Sequence, residues 1–226
     1  MRKAMVLGLL GLAGTLASPA FADDFTGFRM AMNFSNDTLD STLFFNAAPP
    51  PSTDQIHESR LGYGLAGGWA LNRYLAFEAG LRGGGEYNAH VFNQLLPTAN
   101  NFIVSHTDVK GIDATVIGTV WIGRRFALFG RAGMFAWKAE ETMSVGTYDI
   151  EATDTSPFIP GTKTSRSADD NGFDLIYGGG IQTVLDGALV RLEYQWTEFG
   201  DIGLQNSFNL RDNKMNSLMF SIVWTL

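Results

Sequence analysis

The last eleven residues, NSLMFSIVWTL (216–226), alternate with a strict two-residue period. Leu218, Phe220, Ile222, Trp224 and Leu226 fall on one side, and Ser217, Met219, Ser221, Val223 and Thr225 on the other. A period of two is the signature of a strand, because successive side chains point to opposite faces. A strand with one greasy face at a sheet margin leaves a row of open backbone groups that invites aggregation. Pairing this strand with the first one removes the edge, so the pattern predicts a closed sheet.

The same period recurs along the chain. GFRMAMNF sets Phe28, Met30, Met32 and Phe34 on one side. In RLGYGLAGGWAL (60–71), Leu61, Tyr63, Leu65, Trp69 and Leu71 oppose Arg60 and a run of Gly and Ala. YLAFEAGLRGGGEY sets Leu75, Phe77, Ala79, Leu81 and Tyr87 against Glu78, Arg82 and Glu86. KGIDATVIGTVWIG (110–123) sets Ile112, Val116, Val120 and Ile122 against Asp113, Thr115, Ile117 and Thr119. FALFGRAGMFAW sets Phe126, Leu128 and Met134 against Arg131; Phe135 and Trp137 land on the polar side, and a bulge there would repair the register. FDLIYGGGIQTV and ALVRLEYQWTEF follow, the first with Asp174 and Gln182 on its polar side, the second with Arg191, Glu193, Gln195 and Thr197.

With the terminal stretch these segments make eight strands. Connections near 72–73, 124–125 and 186–187 are tight, and Asp186-Gly187 is a hairpin-turn signal. Long polar segments at about 35–59, 88–108, 141–172 and 200–215 read as loops, with NAAPPPSTD (46–54) unable to serve a ladder. Short turns at one end and long loops at the other are the pattern of an all-β, eight-stranded antiparallel up-and-down transmembrane β-barrel. Trp69, Tyr74, Phe126, Tyr194, Trp196 and Trp224 near strand ends suit interfacial aromatic girdles.

Composition narrows the class further. The chain has 226 residues, 45% of them apolar, no cysteine and a formal charge of −7. Residues 1–22 carry Arg2 and Lys3, an apolar run and the small-residue end Ala20-Phe21-Ala22, the pattern of a signal peptide. Residues 23–226 then form one transmembrane barrel domain of an exported protein. No further stretch approaches the roughly 20 continuous apolar residues of a membrane helix.

The polar strand faces carry Arg29, Arg60, Arg82, Arg131 and Arg191 together with Glu78, Glu86, Asp113, Asp174 and Glu193. The interior of an eight-stranded barrel is about wide enough to be filled by side chains. Charges buried there need partners. The expectation is a lumen charge network with Glu78, Arg82, Arg131 and Glu193 at its heart. It plugs the barrel in one reading and gates a narrow pore for small solutes or ions in another. The inward glycines at 62, 64, 68, 80, 84, 178 and 180 make room for arginines or water.

WALNRYLAFEAGLR (69–82), LVRLEYQWTEFGD and the terminal strand resemble the OmpA-like outer-membrane barrel family. The resemblance implies an outer-membrane location, with both termini and the short turns on the periplasmic side and the long loops at the cell surface of a Gram-negative bacterium. It also implies biogenesis through periplasmic chaperones and the barrel assembly machinery. Members commonly end in Phe, where this chain has Leu226. Larger relatives add a soluble peptidoglycan-binding domain, so their tethering role is not expected here. The family is functionally mixed, spanning structural proteins, adhesins, serum-resistance factors and small pores.

Other chemistry has little support. His57, His90 and His106 fall in expected loops, and Ser105, His106 and Asp108 are neighbours in the chain only. The absence of cysteine and of paired histidines leaves no metal-ligand spacing, and no cofactor is expected. GLAGG and YGGGIQ lie inside strands with no following helix, so they are not nucleotide sites. An acidic, exported chain is not expected to bind nucleic acid. The expected partners are outer-membrane lipid, lipopolysaccharide and a host or surface ligand at the acidic loops. A structural or surface-interaction role leads, a gated channel is the alternative, and a lipid A-modifying enzyme is a third reading; no enzyme is expected.

Overall fold

The computed structural model describes residues 26–45, 52–96, 99–148, 164–200, 202–204 and 208–226. The expected signal peptide and His90's side chain lie outside what it describes. The described chain is almost entirely strand: β1 (Gly27–Phe45), β2 (Ser52–Ala70), β3 (Leu75–Leu96), β4 (Ala99–Ile122), β5 (Phe126–Tyr148), β6 (Thr164–Leu185), β7 (Ala188–Glu198), β8 (Ile202–Leu204) and β9 (Phe208–Thr225). Strands β1 to β7 and β9 pair antiparallel in chain order, and β9 returns to β1 from Arg29↔Thr225 outward. That return closes an eight-stranded up-and-down barrel and removes the edge that the terminal strand would otherwise present. The short β8 pairs with the far end of β9 and lies beside β6.

Tight turns gather at one end, here called the turn end. At 71–74, the side-chain oxygen of Asn72 accepts hydrogen bonds from the amides of Tyr74 and Leu75, closing the turn locally. Asp186 and Gly187 both take positive φ, at 47° and 85°, as a two-residue hairpin of primed type requires. The opposite end, the crown, carries the long strand extensions.

Alternation sorts the side chains as the period demands. Leu61, Leu65, Phe77, Leu81, Val120, Leu192, Leu218 and Phe220 stand on the outside. Tyr194 packs edge-on against Trp196, and Tyr177 stacks on the same ring, forming an aromatic cluster on the outer wall.

Two expectations need correction. Most of the segments read as loops are strands: β1 runs to Phe45, β4 begins at Ala99 and β5 reaches Tyr148. Outside the lipid a ladder needs no hydrophobic alternation, so the strand continues with no period to betray it. The second concerns Phe135 and Trp137. Both pairings of β5 run without a register shift there, and both rings point inward and are buried. Glycines on the flanking strands admit them: a Cβ on Gly111 would lie 2.7 Å from the Phe135 ring, and one on Gly172 2.5 Å from the Trp137 ring.

The ring of ladders is complete only around the turn-end half. Strands β2 and β3 pair from Ala70↔Ala76 to Tyr63↔Gly83 and no further among the described residues. Strands β6 and β7 stop at Ile176↔Thr197. Beyond those points the ladders of the described residues form two sheets, one of β8, β9, β1 and β2 and the other of β3 to β6.

Candidate functional site: the ionic band of the lumen

The lumen is stacked in three layers. Nearest the turn end, Ala31, Ala66, Leu189 and Val223 form an apolar cluster with Trp121 and Val184 packed against it. Ala70, Ala76, Ile117 and Phe129 form a second cluster at that level. The Trp121 indole donates to the Arg73 carbonyl at 2.7 Å, and the Arg73 guanidinium lies over the Trp121 ring at 5.5 Å, covering this end.

The middle layer is ionic. Arg191 donates from Nη1 to both carboxylate oxygens of Glu78 at 2.7 and 2.9 Å, and from Nε to Gln182 at 3.0 Å. Arg131 donates to the same Glu78 at 3.1 Å, and its Nε lies 3.0 Å from Glu193. Gln195 donates to Glu193 at 2.8 Å and accepts from Arg82 at 3.0 Å. Arg82 then reaches Asp37 at 2.9 Å and also donates to Ser217. One connected chain of polar contacts thus runs through β1, β3, β5, β6, β7 and β9. Arg29 and Asp113 are buried in the same band. Four carboxylates, Asp37, Glu78, Asp113 and Glu193, meet four guanidinium groups, Arg29, Arg82, Arg131 and Arg191. Balance of this kind is what buried charge requires.

The inward glycines make room chiefly for the carboxylates, which amends the expectation of space for arginines. A Cβ on Gly62 would lie 2.2 Å from Asp37 Oδ2, and one on Gly68 2.7 Å from Glu78 Cγ. On Gly80 it would lie 3.3 Å from both Asp113 oxygens, and on Gly178 3.0 Å from Glu193 Oε1. Each acid of the band therefore lies against a glycine. Beside Arg82, Asp113 and Arg131 a polar cavity of about 10 Å³ remains, about the space of one water.

The third layer, toward the crown, is aromatic. Phe199, just past the end of β7, turns into the lumen and packs on Trp137 (5.3 Å, edge-on) and Phe135 (6.2 Å). Leu39, Tyr87, Val109, Ala139 and Met215 are buried at this level. Asn213 holds the Phe199 turn by donating to the Gly200 carbonyl at 2.9 Å, while its side-chain oxygen accepts from Ser41. A register shift between Asp40 and Thr42, opposite Asp212 with its positive φ, makes this arrangement possible.

Three residues expected in the network lie elsewhere. Glu86 stands outside the lumen next to His106, because a register shift between Gly83 and Glu86 reverses the parity of β3. Arg60 is half-buried above the band, paired with Glu58 and donating to the Glu86 carbonyl at 2.8 Å. Asp174 is half-buried in the aromatic layer, where it accepts from the Trp137 indole. Conversely, Asp37 and Glu141, which lie in segments read as polar loops, are fully buried.

Outside the barrel, beyond the apolar belt, Lys110 and Lys138 stand opposite one another across β4 and β5 and share Glu140, at 3.1 and 3.0 Å. Hydrogen bonds from Lys138 and then Lys110 hold the Glu140 carboxyl below its ordinary range. Among the described residues no cluster of three or more His, Cys, Asp or Glu could hold a metal ion.

A closed ring of eight tilted ladders, greasy outside and charged within, defines an integral β-barrel of the bacterial outer membrane. The chain belongs to the OmpA-like transmembrane domain family, which it matches over residues 19–224. It is 26% identical to outer membrane protein A of Shigella flexneri over 224 residues, covering 96% of this chain and 54% of the relative. It is 30% identical to outer membrane protein A of Klebsiella pneumoniae over 179 residues, covering 77% of this chain and 43% of that one. The chain thus spans about half the length of the curated relatives it matches. Among solved structures, outer membrane protein OprG of Pseudomonas aeruginosa shares the fold with a TM-score of 0.50 at 11% identity, covering 92% of this chain and all of that one. The outer membrane protease OmpT of Escherichia coli also shares it, with the same TM-score and identity over 92% of this chain and 99% of that one.

Proposed function

We propose that the protein is a plugged outer-membrane barrel with a structural role in the membrane and a surface-interaction role carried by its crown. The observation that supports this most is the layering of the lumen. A charge-balanced band lies between a turn-end apolar layer and an aromatic layer closed by Phe199. Opening a path for ions means separating Glu78 from two arginines in a medium of low dielectric, which is costly. The strand extensions, in contrast, project past the apolar belt and, among the described residues, present Glu86, Lys110, Glu140 and Asp169 to solvent. Outer-membrane lipid and lipopolysaccharide surround the belt, and no catalytic role is proposed.

A narrow gated channel is the second reading. It is favoured by the sharing of Glu78 between Arg131 and Arg191, and of Arg131 between Glu78 and Glu193, which offers alternative pairings at little distance. Planar-bilayer recording of the pure protein separates the two. The plugged barrel passes no discrete current, and neither does Glu78→Ala or Arg131→Ala. Defined conductance steps that change with these substitutions would establish the channel instead.

A further inference from the structure

We propose that the turn end carries a binding site for the phosphate headgroup of an anionic membrane phospholipid, formed by Arg73, Arg124 and Arg125. The site goes beyond the structural and surface-interaction reading and stands whether or not the lumen conducts. Arg73 lies in the turn between β2 and β3, and Arg124 and Arg125 lie in the turn between β4 and β5. Strands β3 and β4 are paired neighbours, with Leu75 opposite Gly118. The Thr119 amide donates to the Tyr74 carbonyl at 2.8 Å, which pins the first turn to β4. The Val184 amide donates to the Arg125 carbonyl at 2.9 Å, which pins the second turn to β6. The Arg73 guanidinium lies over Trp121, and Arg124 follows Trp121 by at most about 10 Å of extended chain. Two arginine side chains close that distance, so the three cations share one patch.

Among the described residues, none of the three is ion-paired. The acid of the described turns is Asp186, on the hairpin between β6 and β7, and it pairs with none of them. Arg73 is held by rings instead, its guanidinium 5.4 Å from the Tyr74 centroid and 5.5 Å from that of Trp121. Stacking fixes the planar fork without consuming its charge. Arg73 is half-buried, and its Nε is shut off from water with no acceptor in the protein. It is thus a partly desolvated cation with no counter-charge beside it, a state that an incoming anion relieves. Arg124 and Arg125 are exposed next to it.

Depth selects the anion. Trp69, Leu71, Tyr74, Ile122 and Phe126 flank the patch and are exposed on the outside. Aromatic and apolar side chains so placed mark the rim of the lipid belt, where headgroups lie. Phosphate is the anion of that zone, and guanidinium groups bind it through paired hydrogen bonds. At this end the described strands stop at the rim, with Ala70, Leu75, Ile122 and Phe126 as their last or first residues. No wall rises there to hold a bulky saccharide headgroup. A phospholipid fits, with its phosphate among the arginines and its acyl chains along the outward side chains of β3 to β5. Asp186 on the next hairpin confines the site to that side of the barrel.

The test gives the purified protein in detergent an equal mixture of phosphatidylglycerol and phosphatidylcholine and reads the retained lipid by native mass spectrometry. The parent is expected to keep phosphatidylglycerol over phosphatidylcholine by about tenfold. Arg73→Gln/Arg124→Gln/Arg125→Gln is expected to lose that preference, and Arg60→Gln at the crown to keep it. Should the triple variant lack the heat-modifiable mobility of a folded barrel, Arg124→Gln/Arg125→Gln replaces it. That pair leaves the ring contacts of Arg73 intact and is still expected to lose most of the preference. Equal retention of the two lipids by the parent, or undiminished preference in a folded Gln variant, overturns the site. Full preference in Arg73→Lys/Arg124→Lys/Arg125→Lys also overturns it, because diffuse attraction to charge then suffices. Displacement of the lipid by inorganic phosphate would make free phosphate the ligand. Retention of lipopolysaccharide ahead of phosphatidylglycerol would make that glycolipid the ligand, and either result overturns the phospholipid. Bilayer recordings decide the plugged barrel separately, so either conclusion can fail while the other stands.

Discussion

Arg191 on β7 and Glu78 on β3, 113 residues apart in the chain, meet across the lumen with one guanidinium nitrogen within hydrogen-bond reach of both carboxylate oxygens. Glu78 also serves Arg131, so it is the hub on which two buried cations depend. Removing it strands both. Glu78→Leu is expected to destabilise the barrel by about 3–5 kcal/mol, and Arg191→Leu by a comparable amount. The double variant should lose clearly less than the sum, because each change relieves the charge that the other leaves behind. Urea unfolding in lipid vesicles, followed by tryptophan fluorescence, measures all three; simple additivity would show that the pair is not coupled.

The glycines opposite the acids make a separate prediction. Gly178→Ala places a methyl group 2.8 Å from the Tyr194 carbonyl and 3.0 Å from Glu193 Oε1. Overpacking of this kind costs about 1–3 kcal/mol. Gly118→Ala meets nothing within 4 Å and serves as the control. The two variants should therefore separate in unfolding midpoint, with Gly118→Ala at or above the parent. Coincident midpoints would mean that the band yields freely to an added methyl.

Phe199 closes the crown-end layer against Trp137. Phe199→Ala is expected to leave the membrane barrel folded, because no ladder in the apolar belt depends on that ring. Its loss exposes the Trp137 face, so tryptophan emission should shift to the red and near-ultraviolet circular dichroism should weaken. The stability cost falls near the lower end of the roughly 3–5 kcal/mol typical of a buried Phe→Ala, since this layer borders water. An unchanged emission spectrum would contradict the packing described.

The lipid-facing belt gives a fourth. Leu81 is 60% exposed in the protein alone and flanked by Leu65 and Ile112 on the neighbouring strands. Leu81→Arg, within the apolar belt, is expected to cost about 2–4 kcal/mol. Leu61→Arg, nearer the crown, should cost less. Refolding yields into vesicles and urea midpoints rank the pair, and the reverse order would misplace the belt.

Much of the band was legible in the residues because parity survives wherever the ladder is regular. Arg29, Glu78, Arg82, Asp113, Arg131, Arg191 and Glu193 each sit opposite an apolar run, and all are buried inside. Glu86 was misread because one register shift reverses everything beyond it, and nothing local in GGGEY marks the shift. Asp37 and Glu141 were misread for another reason. Beyond the bilayer both faces of a strand can be polar, so the period vanishes while the ladder persists. Phe135 and Trp137 looked like a register error, yet glycines on the neighbouring strands, invisible to a one-strand reading, provide their space.

By itself, the sequence determined the closed architecture, the greasy exterior and, where the ladder is regular, which residues face inward, because these follow from a two-residue period and the demand that no ladder be left open in lipid. Only the tertiary structure decided who meets whom: Glu78 with Arg191, Arg82 with Asp37, Gly178 with Glu193, and β2 parting from β3 beyond Tyr63. Those relations depend on the stagger and tilt with which eight strands close, a property of the whole ring that no single strand encodes.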